Sequence, residues 1–420
     1  MSLLNRILPL LTWLPKARRA GFLPPDYRAR QRRSKAAYQL ARRLDLPVAT
    51  EPNTDADCTA LQFQLGRPDN IRFLALDPHL DDVELSNNEV LFVPHSLGAN
   101  RYITVYSAPY LQLDLDAFTD PRGEWNTRSF KATPAWGRCR VHRSNHPALR
   151  VGDLYYGFWP LAAYNRRRVH RVPPGADLAF QDLPDFSGPR EWLKLIRLNE
   201  RPDSLAVDNF EYVKIGLTYA CELRDQAYFG ADQLVISSAS SASGRLIAMC
   251  LRRVRPDFRI VGLTSPHRVT ELRAASYFDA VYAYDAIASA RPAKSLYFDA
   301  LGREAVTAAV FAHFPVRRWW IYGEGGSRTF LRYLRRNRHG TLYTNLVDSY
   351  IYQERHDLSD EELLRITLEL IDTYDLERAW YADARLISRS REVFDLYHAY
   401  LTNTHTGERV VYRSPLWERG

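Results

Sequence analysis

The chain is poor in cysteine, long apolar runs and most short catalytic signatures, and each shortage removes a class of function. Its 420 residues hold four cysteines, Cys58, Cys139, Cys221 and Cys250, far apart and without a CxxC pair. A disulfide framework and a zinc knuckle are therefore not expected, and a reducing cytoplasm is the default compartment. No segment approaches the ~18 consecutive apolar residues of a membrane-spanning helix. No P-loop and no HExxH occurs, and Gly325-Gly326-Ser327 is not a Gly-x-Ser-x-Gly elbow. Histidines do not cluster at metal spacing, and neither an internal repeat nor a low-complexity tract is present.

What is present is a soluble composition, 46% hydrophobic and 25% charged. A length of 420 residues suggests two or three domains. The net charge of +8 is uneven. Eleven Lys and Arg against Asp26 and Asp45 give the first fifty residues +9, which leaves the remainder near −1. Nucleic-acid binding by the folded body is accordingly not expected. LLNRILPLLTWLPKARR is not expected to act as a signal peptide, because Pro9 and Pro15 interrupt it and no small-residue cleavage site follows. Two readings of this extension stand side by side. It either rests on an anionic membrane or a protein partner through Leu10, Leu11, Trp13 and Leu14, or packs along the body with its arginines solvated.

From Asn70 onward, NEVLFVPHSLG and LYYGFWPLAAY are short, aromatic and β-branched, which predicts antiparallel strands. Glu191–Asn199 and Tyr212–Ala227 read as helices. Strands then alternate with helices: Leu234–Ser238, Arg259–Leu263, Ala280–Tyr284, Ser295–Asp299 and Arg318–Tyr322. That alternation predicts a parallel, doubly wound sheet. TLYTNLV extends it, Ser359–Thr373 forms a helix capped by Ser359, and GERVVYRS is strand-like. In LVISSASSASGRLIAMCL an apolar strand meets a turn of small residues that opens a helix, the start of a dinucleotide-binding unit. Serine stands where glycine is expected.

The ordered set NNEVLFVPHSLGANRY, LRVGDLYYG, AAYNRRRVHRVPPG, GLTYACEL, FDALGRE and HTGERVVY resembles landmarks of the medium-chain dehydrogenase/reductase superfamily, in its zinc-free quinone-oxidoreductase-like branch. SSASSASG and RIVGLTS resemble an uncharacterised bacterial subgroup of it. The resemblance spans about residues 70–415. It implies an α/β fold with a GroES-like β-rich domain and an inserted Rossmann-type doubly wound parallel sheet. The expected divisions are a basic extension over 1–65, the first GroES-like part over 66–205, the nucleotide domain over 206–346 and a return over 347–420. PAWGRCRV lacks the Gly-His-Glu of the superfamily's zinc enzymes, and no four-cysteine lobe exists, so no zinc is expected.

The resemblance places the phosphate turn on Ser237–Gly244, with Ser240, Ser241, Ala242, Ser243 and Gly244 as cofactor-binding residues. Serine narrows the backbone approach but adds hydroxyl donors to those of the helix N-terminus. The second strand ends in Leu263-Thr264-Ser265, with His267 and Arg268 shortly after and no acid before Glu271. Thr264, Ser265 and Arg268 therefore favour a 2′-phosphate, hence NADP. Tyr284 resembles the adenine-side tyrosine, Thr218 the residue near the nicotinamide amide, and Gly323, directly after the strand Arg318–Tyr322, is a further cofactor-binding residue expected from the resemblance. Asn100 matches a Gly-x-Asn turn in the substrate cleft, and Tyr106 and Tyr110 are candidate proton donors. The implied protein is a zinc-independent NADP(H)-dependent reductase of an activated alkene, quinone or carbonyl compound, with its small-molecule substrate entering between the two domains. A homodimer is a further expectation of the resemblance. The alternative is a relative that keeps the fold without hydride chemistry, or a lyase or isomerase.

Overall fold

The computed structural model describes residues 49–54, 56–64, 67–99, 130–171, 177–182, 190–322, 340–343, 345–402, 404 and 409–417. Two units emerge: one of Asn209–Thr373, the other of the described residues up to Asp208 and from Tyr374 onward.

The second-named unit begins with nine strands, β1 (Thr59–Gln64), β2 (Arg67–Ala75), β3 (Glu89–Gly98), β4 (Phe130–Ala132), β5 (Pro134–Ser144), β6 (Leu154–Pro160), β7 (Asn165–Arg171), β8 (Leu178–Gln181) and β9 (Lys194–Arg197). β2, β1 and β4 form a small antiparallel sheet. β3, β5, β6, β9, β8 and β7 pair in that order, and β7 pairs back to β3, closing a barrel. Closure leaves these strands no open edge among the described residues. The antiparallel body expected from NEVLFVPHSLG and LYYGFWPLAAY is β3 and β6.

One expected element is overturned. Glu191–Asn199 is not a helix: a 3₁₀ turn, Arg190–Leu193, gives way to β9. Without β9, the facing edges of β6 and β8 would expose unpaired backbone groups. Lys194–Arg197 fills that gap, pairing Tyr155 and Tyr156 on one side and Leu178, Ala179 and Phe180 on the other.

The other unit is a six-stranded parallel sheet. Its elements are α1 (Phe210–Asp225), β10 (Gln233–Ser237), α2 (Ala242–Val254), β11 (Arg259–Thr264), α3 (Val269–Arg273), β12 (Ala280–Ala283), β13 (Ser295–Asp299), α4 (Glu304–His313), β14 (Val316–Tyr322), β15 (Gly340–Tyr343), α5 (Asn345–Arg355) and α6 (Asp360–Thr373). The strand order β12-β11-β10-β13-β14-β15 is the 3-2-1-4-5-6 of doubly wound dinucleotide folds. It reverses at β10, so the crevice for a ligand opens at the carboxyl ends of β10 and β13. QLVIS and SLYFD are buried throughout, as strands covered on both faces must be. Val306 and Val310 of α4 cover one face, against Val235, Val261, Tyr297 and Trp319. On the other, Tyr219 of α1 packs edge-on to Phe298 and Trp320. The Ser359 hydroxyl accepts from the Glu362 N–H at 3.0 Å, the expected cap of α6.

The chain then completes the barrel unit with β16 (Arg385–Ile387), α7 (Ser390–Thr402) and β17 (Val410–Tyr412). β17 pairs β3, as GERVVYRS suggested, and α7 adds Val393, Phe394 and Tyr397 to the barrel core. Within this unit Glu377 accepts hydrogen bonds from the Ser204 hydroxyl and the N–H groups of Leu205 and Ala206. Buried Arg138 donates to the Asp208 carboxylate at 2.7 Å. The returning segment is thus tied to the one that leaves the barrel.

Candidate nucleotide site

β10 ends at Ser237, and the chain turns through Ser238–Ser241 before α2 opens at Ala242. Ser238 has φ +55°, a left-handed conformation that glycine adopts without steric cost. The turn is closed by the Ser241 N–H on the Ser238 carbonyl at 2.9 Å. The Ser241 hydroxyl donates to that same carbonyl at 2.7 Å and accepts from the Gly244 N–H at 3.1 Å, so Ser241 caps α2. The remaining glycine is the one that packing demands. A Cβ on Gly244 would lie 2.7 Å from the Ser238 oxygen and 3.1 Å from the Ala239 Cα. The Ala239 N–H donates to the Leu263 carbonyl at 3.0 Å, seating the turn on β11.

The serines prove to be mostly structural. Ser237 donates to the buried Asp299 carboxylate at 2.8 Å, and Asp299 also accepts from the Leu301 and Gly302 N–H groups and the Thr307 hydroxyl. That network fixes the carboxyl ends of β10 and β13, the two strands at the switch point. Ser240 accepts from the Thr264 hydroxyl at 3.2 Å, keeping its own proton to donate. Ser237 and Ser241 thus donate their hydroxyl protons within the protein, whereas the Ser240 hydroxyl accepts from Thr264.

At the end of β11, Thr264 is buried, and Ser265 precedes the short turn Pro266–Arg268. Arg268 does not stand alone. Its Nη1 lies 2.9 Å from Glu271, whose other oxygen receives Arg245 Nη2. Partial burial opposes ionisation of Glu271, but hydrogen bonds from Arg245 and Arg268 outweigh it and hold its carboxyl below the usual range. Tyr284, directly after β12, accepts the Ser238 N–H on its hydroxyl at 3.2 Å, and burial raises its pKa. It therefore braces the turn.

Ser240, Ser241, Ala242, Ser243, Gly244, Thr264, Ser265, Arg268 and Tyr284 thus gather at one end of the parallel sheet. Thr218 is placed differently: it is buried in α1, and its hydroxyl donates to the Lys214 and Ile215 carbonyls of its own helix. Asn100, Tyr106, Tyr110 and Gly323 lie outside the described residues. Asp299, Arg245 and Glu271 were not anticipated. Arg245 had a local signal, a charged residue directly after the turn's glycine; its partner lies 26 positions on. Among the described residues no three His, Cys, Asp or Glu side chains gather as a metal ion would need.

The site fits the phosphate-bearing part of a dinucleotide. Gly244 keeps the turn close to the helix, the first turn of α2 presents its positive end, and two guanidinium groups stand beside the end of β11.

No curated protein matches the chain. Solved structures share its fold. CurA from Vibrio vulnificus in complex with NADPH is 13% identical at a TM-score of 0.52, covering 82% of this chain and 94% of that one. The quinone oxidoreductase from Coxiella burnetii is 16% identical at 0.50, covering 85% and 99%. The mitochondrial 2-enoyl thioester reductase Etr1p/Etr2p heterodimer from Candida tropicalis is 14% identical at 0.51, again covering 85% and 99%. The fold is thus that of the quinone oxidoreductases and enoyl reductases, as the resemblance implied. A family described as "Protein of unknown function (DUF2855)" matches residues 99–194 and 199–322.

Proposed function

This chain belongs to the DUF2855 family, and from the dinucleotide turn within the matched segment we propose a zinc-independent, NADP(H)-dependent reductase of an activated alkene, quinone or carbonyl compound. The observation that carries the reading is the junction of β10 and α2: a capped, small-residue turn at the topological switch point, with cationic side chains at the end of β11. The NADPH complex of CurA and the enoyl thioester reductase from Candida tropicalis, both of this fold, support the cofactor and the substrate class.

In this reading the first turn of α2 and the Ser240 hydroxyl hold the pyrophosphate. Thr264, Ser265 and Arg268 bind the adenosine ribose and its 2′-phosphate, and Tyr284 flanks the adenine. When bound, the nicotinamide supplies the two electrons of the reduction as a hydride. Asn100 orients the substrate by hydrogen bonding, and Tyr106 or Tyr110 gives a proton to the carbon or oxygen that develops negative charge. No step is asked of a metal.

The test is thermal denaturation of the full chain with NADPH or NADH, followed by loss of NADPH absorbance with quinones, enones and enoyl thioesters. A larger shift with NADPH, and turnover of one class, are expected. Absence of a shift with either nucleotide would overturn the reading.

A further inference from the structure

The end of β11 is governed by an ion-pair bridge whose two arginines come from different elements. Arg245, one residue past Gly244 on α2, has a side chain only 10% exposed. Its Nε donates to the Ser240 carbonyl at 3.1 Å, its Nη1 lies 3.5 Å from the Tyr277 hydroxyl, and its Nη2 donates to Glu271. Arg268 is 35% exposed and meets the other oxygen of Glu271. One carboxylate, 41% exposed, therefore joins an anchored guanidinium to a more accessible one. Two positive charges against one leave an excess of positive charge beside Thr264 and the phosphate turn.

We infer that Glu271 is a specificity-determining residue, an internal anion that occupies Arg268 until a 2′-phosphate displaces it. The inference rests on the nucleotide reading above and adds how that site selects its ligand. A ribose 2′-hydroxyl carries no charge, so it leaves the Glu271–Arg268 pair in place. It also finds the carboxylate of this bridge already turned to two guanidinium groups rather than to a diol. A phosphate dianion brings more charge than the carboxylate and three acceptor oxygens, so it takes over Arg268. Arg245 stays fixed by Ser240 and keeps Glu271 nearby. The exchange makes Glu271 a competitor of the 2′-phosphate through Arg268, whereas the acidic residue of NAD-selective folds acts by binding the ribose itself.

Calorimetric titration of the full chain with adenosine 2′,5′-bisphosphate and with 5′-AMP reads the exchange without turnover. Glu271→Gln should raise the preference for the bisphosphate about fivefold, the size of removing one competing exposed ion pair. Glu271→Asp keeps the charge and should hold the preference within about twofold of the starting protein, while Arg268→Gln should lower it about tenfold. An unchanged or reduced preference in Glu271→Gln, with the parent still favouring the bisphosphate, overturns the competitor role and leaves the nucleotide reading intact. Loss of affinity for both ligands in Glu271→Gln but not Glu271→Asp makes Glu271 a support for the arginines and likewise overturns it. A parent protein that binds neither nucleotide overturns the nucleotide reading and this inference with it.

Discussion

Replacing Gly244 by alanine adds one methyl group at the tightest point of the candidate site. The new Cβ would stand 2.7 Å from the Ser238 oxygen and 3.1 Å from the Ala239 Cα. Both obstacles are backbone, and neither can rotate aside as a flexible side chain would. Ser238 is already held in a left-handed conformation, with its carbonyl bonded by the Ser241 N–H and hydroxyl. The turn or α2 must therefore shift as a body. Overpacking of this kind costs about 1–3 kcal/mol, and the better helix propensity of alanine returns at most ~1 kcal/mol. With the full offset the net loss is up to about 2 kcal/mol, which corresponds to a Tm lower by up to about 8 °C for a unit of this size. Because the displaced segment is the one proposed to hold the pyrophosphate, NADPH should lose its stabilising effect on the variant. Thermal denaturation with and without NADPH measures both outcomes. A variant melting at or above the parent, with the NADPH shift intact, would refute the argument that this glycine seats the turn.

Other perturbations have equally definite outcomes. Ser238→Gly relieves about 1–2 kcal/mol of left-handed strain against a glycine entropy cost of about 0.5–1 kcal/mol, so stability should be unchanged or slightly higher; chemical denaturation checks it. Ala227 is exposed at φ +46°, in a run of left-handed residues that continues through Tyr228 and Phe229 to Gly230. The same balance makes Ala227→Gly stabilising by up to ~1 kcal/mol, and a lower denaturation midpoint would contradict it. Asp299→Ala leaves the Ser237 and Thr307 hydroxyls without their carboxylate acceptor in a buried site and should cost about 3 kcal/mol, read by chemical denaturation. In the barrel unit, burial and then the charges of Arg138, Arg413 and Arg140 push the His95 imidazole down to about 3. The unfolded chain takes up that proton first, near pH ~6.5, so stability from this residue is full above that pH and lost as pH falls towards 3. Between pH 7 and 5 it should fall by about 2 kcal/mol. His95→Gln should remove that part of the slope in denaturant titrations at the two pH values.

The doubly wound unit was legible because its signals are local. QLVIS and RIVGL are continuous apolar runs, the length of a buried strand, and the small-residue turn sits directly between a strand and an amphipathic helix. Ser359 and the acidic first turn of α6 likewise mark a helix start within a few residues. Glu191–Asn199 misled because Trp192, Leu195, Ile196 and Leu198 satisfy a helical spacing. Its strand conformation is decided by two neighbouring edges, β6 and β8, that no local pattern displays.

The sequence by itself determined the alternation of strands and helices, the position of the phosphate turn and the presence of small residues throughout it, since each follows from periodicity and side-chain size over short spans. Tertiary structure alone decided what those residues do. It caps α2 with Ser241, turns Ser237 towards Asp299, and makes Ser240 the acceptor of the Thr264 hydroxyl. It also brings Arg245 to Glu271 across the crossover from α2 to α3, converting an arginine and an acid distant in sequence into one electrostatic bridge. The physical reason is the same in each case: a hydroxyl or a charge takes its role from its partners, and partners are chosen by packing.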